Sequence, residues 1–336
     1  MAKRRKSRRT SIEPSEMTIT FATPATAAGA NQNFFLDLSQ VASLVNRRFY
    51  RQGLNWAVAG FKILTGGPNQ KGLVTVQKLP NSWIMGNSWV KGFATWTEMN
   101  KKALDEADSV KGRFLDFKIY ADADHHNLGF AANMLPLNYQ GAAVPGEWIP
   151  SEIRVPNGSI TVPFEVTATG DNYPGVSPVT GIDSVSLIKG YANSRSLPAV
   201  VDPNTPAEAT DAIGLTPENW MTALSNEGTN QDSEVLKDVT AYDQPPYPYE
   251  NDGVHVGTMY PGGETQMPGL VIHDQVPYTS TTIGGSVYGK GGNFPCGLIK
   301  FYHSVDAESI THNLSIQVDL VPGSHRGYMA ESMMEF

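Results

Sequence analysis

Residues 312–321 read HNLSIQVDLV, and they alternate apolar with polar side chains. Leu314, Ile316, Val318 and Leu320 fall on one side of an extended chain, because successive side chains of a strand point to opposite faces. This pattern predicts a β-strand with one face in a core. The fold class depends on how many such stretches the chain contains and on what separates them.

Comparable stretches recur along the chain and give eight or nine long predicted strands. They cover residues 17–23, 57–65, 73–79, 112–120, 159–169, 183–191, 254–259, 269–276 and 296–303. The 32 Gly and 23 Pro of the 336 residues fit many short strands joined by turns. A strand–helix–strand rhythm is missing, so a parallel sheet is not expected. The sequence predicts an all-β protein, an antiparallel eight-stranded jelly-roll sandwich with long loops.

Two or three short helices are expected inside this β pattern. The first covers residues 37–50, with Asp37 or Ser39 as its N-cap. The second covers residues 88–108 and places Trp89, Phe93, Trp96 and Met99 on one side, which indicates packing in the core. A third, small helix is predicted over residues 216–225.

Positive charge is concentrated at the start of the chain. The first nine residues contain no acid and six bases, Lys3, Arg4, Arg5, Lys6, Arg8 and Arg9. The other 19 bases and 33 acids leave residues 10–336 with a formal charge of −14. A basic block of this kind cannot bury apolar surface, and its physical use is to neutralise phosphates without reading sequence. The same cluster also suits a nuclear import signal.

The domain organisation follows from this division. Residues 1–16 are predicted to form a disordered basic N-terminal arm, and residues 17–336 one jelly-roll domain. Residues 195–253, rich in Pro, Asn, Asp and Glu, are expected to form a surface loop excursion of that domain.

A second basic group lies in the segment NRRFYRQ. Arg47, Arg48 and Arg51 are candidates for contact with nucleic acid, and Arg47 and Arg51 would share a face if the helix continued through them. Salt bridges to neighbouring carboxylates are the alternative for these arginines. Phe49 and Tyr50 beside them would either stack on unpaired bases or belong to the core.

The sequence contains no clear catalytic or metal motif, so neither an enzyme nor a cofactor is expected. The only metal-like cluster, ADADHHN with Asp122, Asp124, His125 and His126, is interpreted as a solvated loop because adjacent histidines of an extended chain point apart. Phosphate-binding and nucleophile-elbow patterns are absent. Cys296 is expected to be a small core residue. No signal peptide or membrane-spanning run is recognised.

The basic run joined directly to a Gly- and Pro-rich jelly-roll pattern resembles the capsid proteins of circular, Rep-encoding single-stranded DNA viruses, the circovirus-like group. The segments DLSQVASLVNRRFYRQG and PNSWIMGNSWVKGFATW are similar to those of stool-associated circo-like viruses. The resemblance implies a T=1 icosahedral shell of about 60 copies with the arm inside on the DNA. It also implies residence in the virion, assembly in the host nucleus, and a host receptor or glycan as an outer partner. The arm is shorter and less basic than is usual in that group.

Two other interpretations remain open from the sequence. The jelly-roll capsid of a small RNA virus would carry the same kind of arm, because the arm does not distinguish DNA from RNA. A carbohydrate-binding β-sandwich module would share the strand pattern, but it has no reason to begin with KRRKSRR.

Overall fold

The computed structural model describes residues 15–104, 116–157, 160–193, 220–221, 269–281 and 285–335. Within these ranges the chain is mostly β-strand, in antiparallel sheets. In chain order the elements are β1 (Thr18–Ala22), β2 (Asn31–Asp37), α1 (Leu38–Asn46), β3 (Leu54–Leu64), β4 (Lys71–Lys78), α2 (Trp83–Leu104), α3 (Ala123–Leu128), β5 (Leu137–Asn138), β6 (Gly141–Ala142), β7 (Glu152–Asn157), β8 (Ile160–Thr167), β9 (Asp183–Ser186), α4 (Leu187–Asn193), β10 (Val271–Thr279), β11 (Ser286–Phe294), β12 (Leu298–Val305), β13 (Ser315–Leu320), β14 (Pro322–Gly323), β15 (Gly327–Tyr328) and β16 (Ala330–Ser332). Short 3-10 helices cover Phe130–Ala132, Pro295–Gly297 and Met333–Glu335.

Eight of the strands form two sheets that share one core. Sheet I has the order β1–β13–β3–β11, with β16 added beside β3. Sheet II has the order β10–β4–β12–β2. Neighbouring strands in both sheets are antiparallel. The prediction of a mostly β protein with antiparallel sheets is therefore confirmed for the described residues.

Alternation along the strands decides which side chains fill the space between the two sheets. On β13, Ile316 and Val318 are buried there, as the pattern predicts. Phe61 of β3 meets Phe294 and Phe301 edge-on, with ring centroids 5.5 Å and 5.7 Å apart. Edge-to-face pairs of this kind stabilise a fold by about 0.5–1.5 kcal/mol each beyond their buried area.

The chain between β4 and β10 covers the other face of sheet II. Helices α2 and α4 and a third sheet, β7–β8–β9, bury a second apolar core there. Strand β2 lies between the two cores, because Phe34 and Leu36 enter the first and Phe35 enters the second. In the third sheet β7 and β8 are antiparallel but β8 and β9 are parallel, which the antiparallel prediction did not include.

Helix α2 is the helix predicted over residues 88–108, and it begins five residues earlier than predicted, at Trp83. It spans 22 residues, so it is a long helix although short helices were expected in general. Its length follows from its packing, since Trp89 and Trp96 are buried in the second core and Phe93 stacks on Trp89 at 5.0 Å. The core face predicted for this helix is confirmed.

Two strand predictions need correction. Residues 183–191 were expected to form one strand, but β9 ends at Ser186 and the chain turns directly into α4. Residues 116–119 of the predicted strand 112–120 are not in a strand, and Tyr120 makes only a single parallel bridge to Thr167. Phe117 and Ile119 are nevertheless buried, as expected for the core face of that segment.

Several predictions fall outside the described residues. They are the basic arm with Lys3, Arg4, Arg5, Lys6, Arg8 and Arg9, the strand 254–259, and most of the surface excursion 195–253 with its small helix. Within that excursion only Trp220 and Met221 are described, and both are fully buried in the second core, so at this point the chain is not on the surface. Among the described helices, none is both long and apolar enough to cross a membrane.

Candidate nucleic-acid interface

The structure begins where the predicted basic arm joins the sandwich. Ser15 Oγ donates a hydrogen bond to Arg326 O over 2.9 Å, and Glu16 N donates to Asn46 Oδ1 over 3.2 Å. The hydroxyl of Tyr328 donates to Glu16 O over 2.7 Å. These contacts fix the root of the arm between the end of α1 and the β14–β15 hairpin.

Helix α1 begins on a side-chain cap. The Asp37 carboxylate accepts hydrogen bonds from the backbone N–H groups of Ser39 and Gln40, as an N-cap should. Complete burial raises the pKa of Asp37 to about 6, although these bonds and those from Trp148 and Gln52 oppose the shift. Either Asp37 or Ser39 was expected as the cap, and the structure selects Asp37.

Helix α1 ends before it reaches Arg47 and Arg51, although the prediction that these two residues share a face needs a helix that continues through them. Its last residue is Asn46, and Arg47 follows in the left-handed conformation at φ 51° and ψ 36°. The expectation that Arg47 and Arg51 share a helix face is therefore wrong, because the chain between them is not helical. The turn instead places Arg47 and Arg48 directly beside the root of the arm.

The three predicted arginines do not all lie together. Arg47 is exposed, and Arg48 is half-buried with Nη1 3.4 Å from Ser15 Oγ. Arg51 is also exposed, but its charge acts on Asp116. Burial raises the pKa of Asp116, and Lys118 and Arg51 both act to lower it. Arg51 therefore fits the alternative prediction, a salt bridge to a neighbouring carboxylate, better than Arg47 does.

The two aromatic residues of this turn have different environments. Tyr50 is fully buried and packs on Trp56 and Tyr328, with ring centroids 5.8 Å and 5.6 Å away. Its hydroxyl donates to Arg326 O, so it belongs to the core and is not available to stack on bases. Phe49 remains 36% exposed.

A fourth arginine, which sequence reasoning missed, completes this surface. Arg326 is exposed, lies at φ 49°, and donates from Nη1 to Phe49 O. The turn GSHRGY that contains it is separated from Arg47 by 279 residues, and only the tertiary fold brings them together. We call Arg47, Arg48 and Arg326 the arginine surface; Glu16 is an exposed acid beside it.

Two of these three arginines occupy strained backbone positions. A left-handed conformation costs a residue with a Cβ roughly 1 kcal/mol relative to glycine. Arg47 and Arg326 both adopt it, and both are exposed. The hydrogen bond from Arg326 Nη1 to Phe49 O gives that arginine a structural role, so of the two residues only Arg47 has an exposed guanidinium that packing does not explain.

The cluster Asp122, Asp124, His125 and His126 is not the solvated loop that was expected. It forms α3, with Asp122 as N-cap, and both histidines are buried. Lys300 of β12 places Nζ 2.7 Å from one oxygen of Asp122 and one of Asp124. We call these three residues the Lys300 junction. It joins sheet II to the chain between β4 and β10.

The two histidines of α3 have structural partners. His125 stacks on Phe35 with centroids 4.3 Å apart, and burial lowers its pKa to about 3. His126 Nε2 lies 2.7 Å from Glu165 Oε2, deep in the protein. Among the described residues, no three His, Cys, Asp or Glu side chains are grouped to hold a metal ion. Cys296 is fully buried, as predicted, and burial raises the pKa of its thiol.

Comparisons of the chain with protein-family models, with curated proteins and with solved structures found no match. The site is therefore interpreted from its own geometry. Arg48 and Arg326 both contact Ser15, the first described residue after the six bases of residues 1–9, and Arg47 is adjacent to Arg48 in the sequence. Such a surface can bind phosphates with bidentate hydrogen bonds.

Proposed function

We propose that the chain is the capsid protein of a small virus with a single-stranded DNA genome. In this proposal it folds as an eight-stranded jelly roll and assembles into an icosahedral shell of about 60 copies. Its basic arm and the arginine surface hold the packaged DNA, and it has no catalytic role. The chain would reside in the virion and, during assembly, in the host nucleus, with a cell-surface receptor or glycan as outer partner.

The observation that carries the proposal is the pairing of the eight sandwich strands. The first pairs with the eighth, β1 with β13, and the second with the seventh, β2 with β12. The third pairs with the sixth, β3 with β11, and the fourth with the fifth, β4 with β10. Four nested antiparallel pairs, distributed alternately over two sheets, support the eight-stranded jelly roll of this proposal.

Jelly rolls also occur in lectins and cupins, so the strand order alone does not select a capsid. The basic segment supports that choice, since it is attached beside Arg47, Arg48 and Arg326. Lysine and arginine side chains release counterions from a nucleic-acid backbone whatever its sequence. A protein that must hold a whole genome needs this kind of binding, whereas a sugar-binding module does not.

Replacing Arg47 and Arg326 together by glycine tests the arginine surface. Glycine tolerates the left-handed conformation, so we expect the free energy of unfolding to stay within about 1 kcal/mol of the parent. Affinity for a single-stranded DNA oligonucleotide should fall. The slope of log K against log salt should decrease by about 1.4, because two phosphate contacts of about 0.7 each are lost.

Asn69→Gly is the matched control, because Asn69 also lies in the left-handed conformation, at φ 57°, but in the loop at the far end of β3 and without a positive charge. Its salt slope should equal that of the parent chain. Equal slopes for the double arginine variant and the parent would show that the arginine surface does not contact DNA.

A further inference from the structure

A buried network of one tyrosine and two histidines lies at the other end of the sandwich. The Tyr278 hydroxyl is 2.6 Å from His303 Nε2 and 2.7 Å from His312 Nε2. The three side chains come from β10, from β12 and from the loop between β12 and β13. All three residues are at most 4% exposed. The network therefore joins elements that are far apart along the chain.

The hydrogen bonds define which nitrogens carry protons when both histidines are neutral. His312 Nδ1 lies 2.6 Å from Ile310 O, and a carbonyl only accepts, so Nδ1 carries the proton. His312 Nε2 then accepts from the Tyr278 hydroxyl, and the Tyr278 oxygen accepts from His303 Nε2. His303 Nδ1 lies 3.1 Å from Thr26 Oγ1 in the loop between β1 and β2, and the single proton of that hydroxyl goes either to this nitrogen or to Gln32 Oε1, also 3.1 Å away.

Acid disturbs this arrangement. If both histidines were protonated, two N–H groups would point at the Tyr278 oxygen, and its own proton would lose the acceptor on His312. The two positive rings would also lie only 5.6 Å apart. Two like charges at this distance in a buried site repel each other strongly.

No carboxylate offsets that charge within the network. The groups facing the two imidazoles are Thr26 and Gln32 from the β1–β2 side, Val74 of β4, and Tyr278 of β10. The charged residues of the same end, Lys71, Asp306 and Glu308, are more exposed, and Lys71 is paired with Glu308 at 3.3 Å. Burial first, and then the charge of His312, lower the pKa of His303 to about 4.

The geometry points to an acid-opened latch. We propose that His303, Tyr278 and His312 hold the β1–β2 and β12–β13 loops to the sandwich at neutral pH and release them in acid. A cleft of about 530 Å³ beside Tyr278, lined among others by Lys71, Gly72 and Asp306, gives solvent access to this region. The inference does not depend on the proposed capsid function.

The pH range follows from the pKa of His303. Its folded-state pKa, about 4, lies below the unfolded value of 6.5, so the latch contributes fully above pH 6.5 and loses its contribution as the pH falls towards 4. Between pH 7.5 and 5.0 we expect loop opening to increase by about 30-fold.

Hydrogen–deuterium exchange of the full chain, corrected for the intrinsic pH dependence of exchange, tests the latch. Peptides covering residues 23–30 and 306–314 should lose about 30-fold protection at pH 5.0, while peptides from β3 keep theirs. Tyr278→Phe keeps the ring and removes the central hydroxyl, and it should open the same loops already at pH 7.5. His273→Gln, a histidine of β10 outside the network, should behave like the parent.

Unchanged protection of both loops in the parent chain between pH 7.5 and 5.0 would refute the latch. So would a Tyr278→Phe variant whose loops respond to pH as the parent's do. The readout is loop opening, so it remains informative whether or not the chain forms particles or binds DNA.

Discussion

Replacing Lys300 by methionine will lower the free energy of unfolding by about 2 kcal/mol, because it leaves the partly enclosed carboxylate of Asp122 without its partner. Lys300 is 7% exposed and contacts Asp122 and Asp124 at 2.7 Å each. Asp122 is the more enclosed acid, with 17% of its side chain exposed against 55% for Asp124. Urea unfolding followed by tryptophan fluorescence measures the effect.

Two further variants identify its cause. Lys71→Met removes an exposed pair with Glu308, and we expect it to cost no more than about 0.5 kcal/mol. Adding Asp122→Asn and Asp124→Asn to Lys300→Met should restore much of the lost stability, since the unpaired charges are then gone. A Lys300→Met variant as stable as Lys71→Met would mean that the Lys300 junction does not hold the two parts together.

Deleting residues 1–9 will leave folding intact and remove most of the salt-sensitive affinity for single-stranded DNA. The segment carries six bases, and each phosphate contact contributes about 0.7 to the salt slope, so the slope should decrease by about 4. Between 50 and 200 mM salt that difference corresponds to roughly 300-fold in affinity. Fluorescence anisotropy of a labelled oligonucleotide in a salt series measures it.

A variant with the same nine residues in scrambled order is the control, because it keeps their charge and changes their order. It should bind like the parent, because counterion release depends on charge and not on order. Glutamine in place of the six bases should behave like the deletion. If the deleted chain kept the parent's slope, the basic arm would have no role in binding DNA.

The sequence predicted the strands with one buried face and missed those without such a face. Strand β13 alternates cleanly, and its burial follows that pattern. Strand β2 does not alternate, because Phe34 and Phe35 enter two different cores on opposite faces. Strand β11 contains three glycines within SVYGKGGNF and gives no apolar pattern. Leu187 and Ile188 form an apolar pair too short to separate helix from strand.

The candidate site was partly predictable for a related reason. Arg47 and Arg48 are adjacent in the sequence, so their charge is visible there. Arg326 joins them only because the β14–β15 hairpin lies beside the end of α1. The α3 cluster was misjudged because its partners, Phe35, Glu165 and Lys300, are remote in sequence. The local sequence shows secondary-structure propensity and charge. It does not show which residues from distant parts of the chain will lie in contact.

Electron microscopy of the chain, expressed on its own, tests the proposed capsid function most directly. We expect closed particles of uniform diameter, built from about 60 copies, that contain nucleic acid protected from nuclease. A chain that remains monomeric from low to high salt, with no particles in any field, would contradict the account.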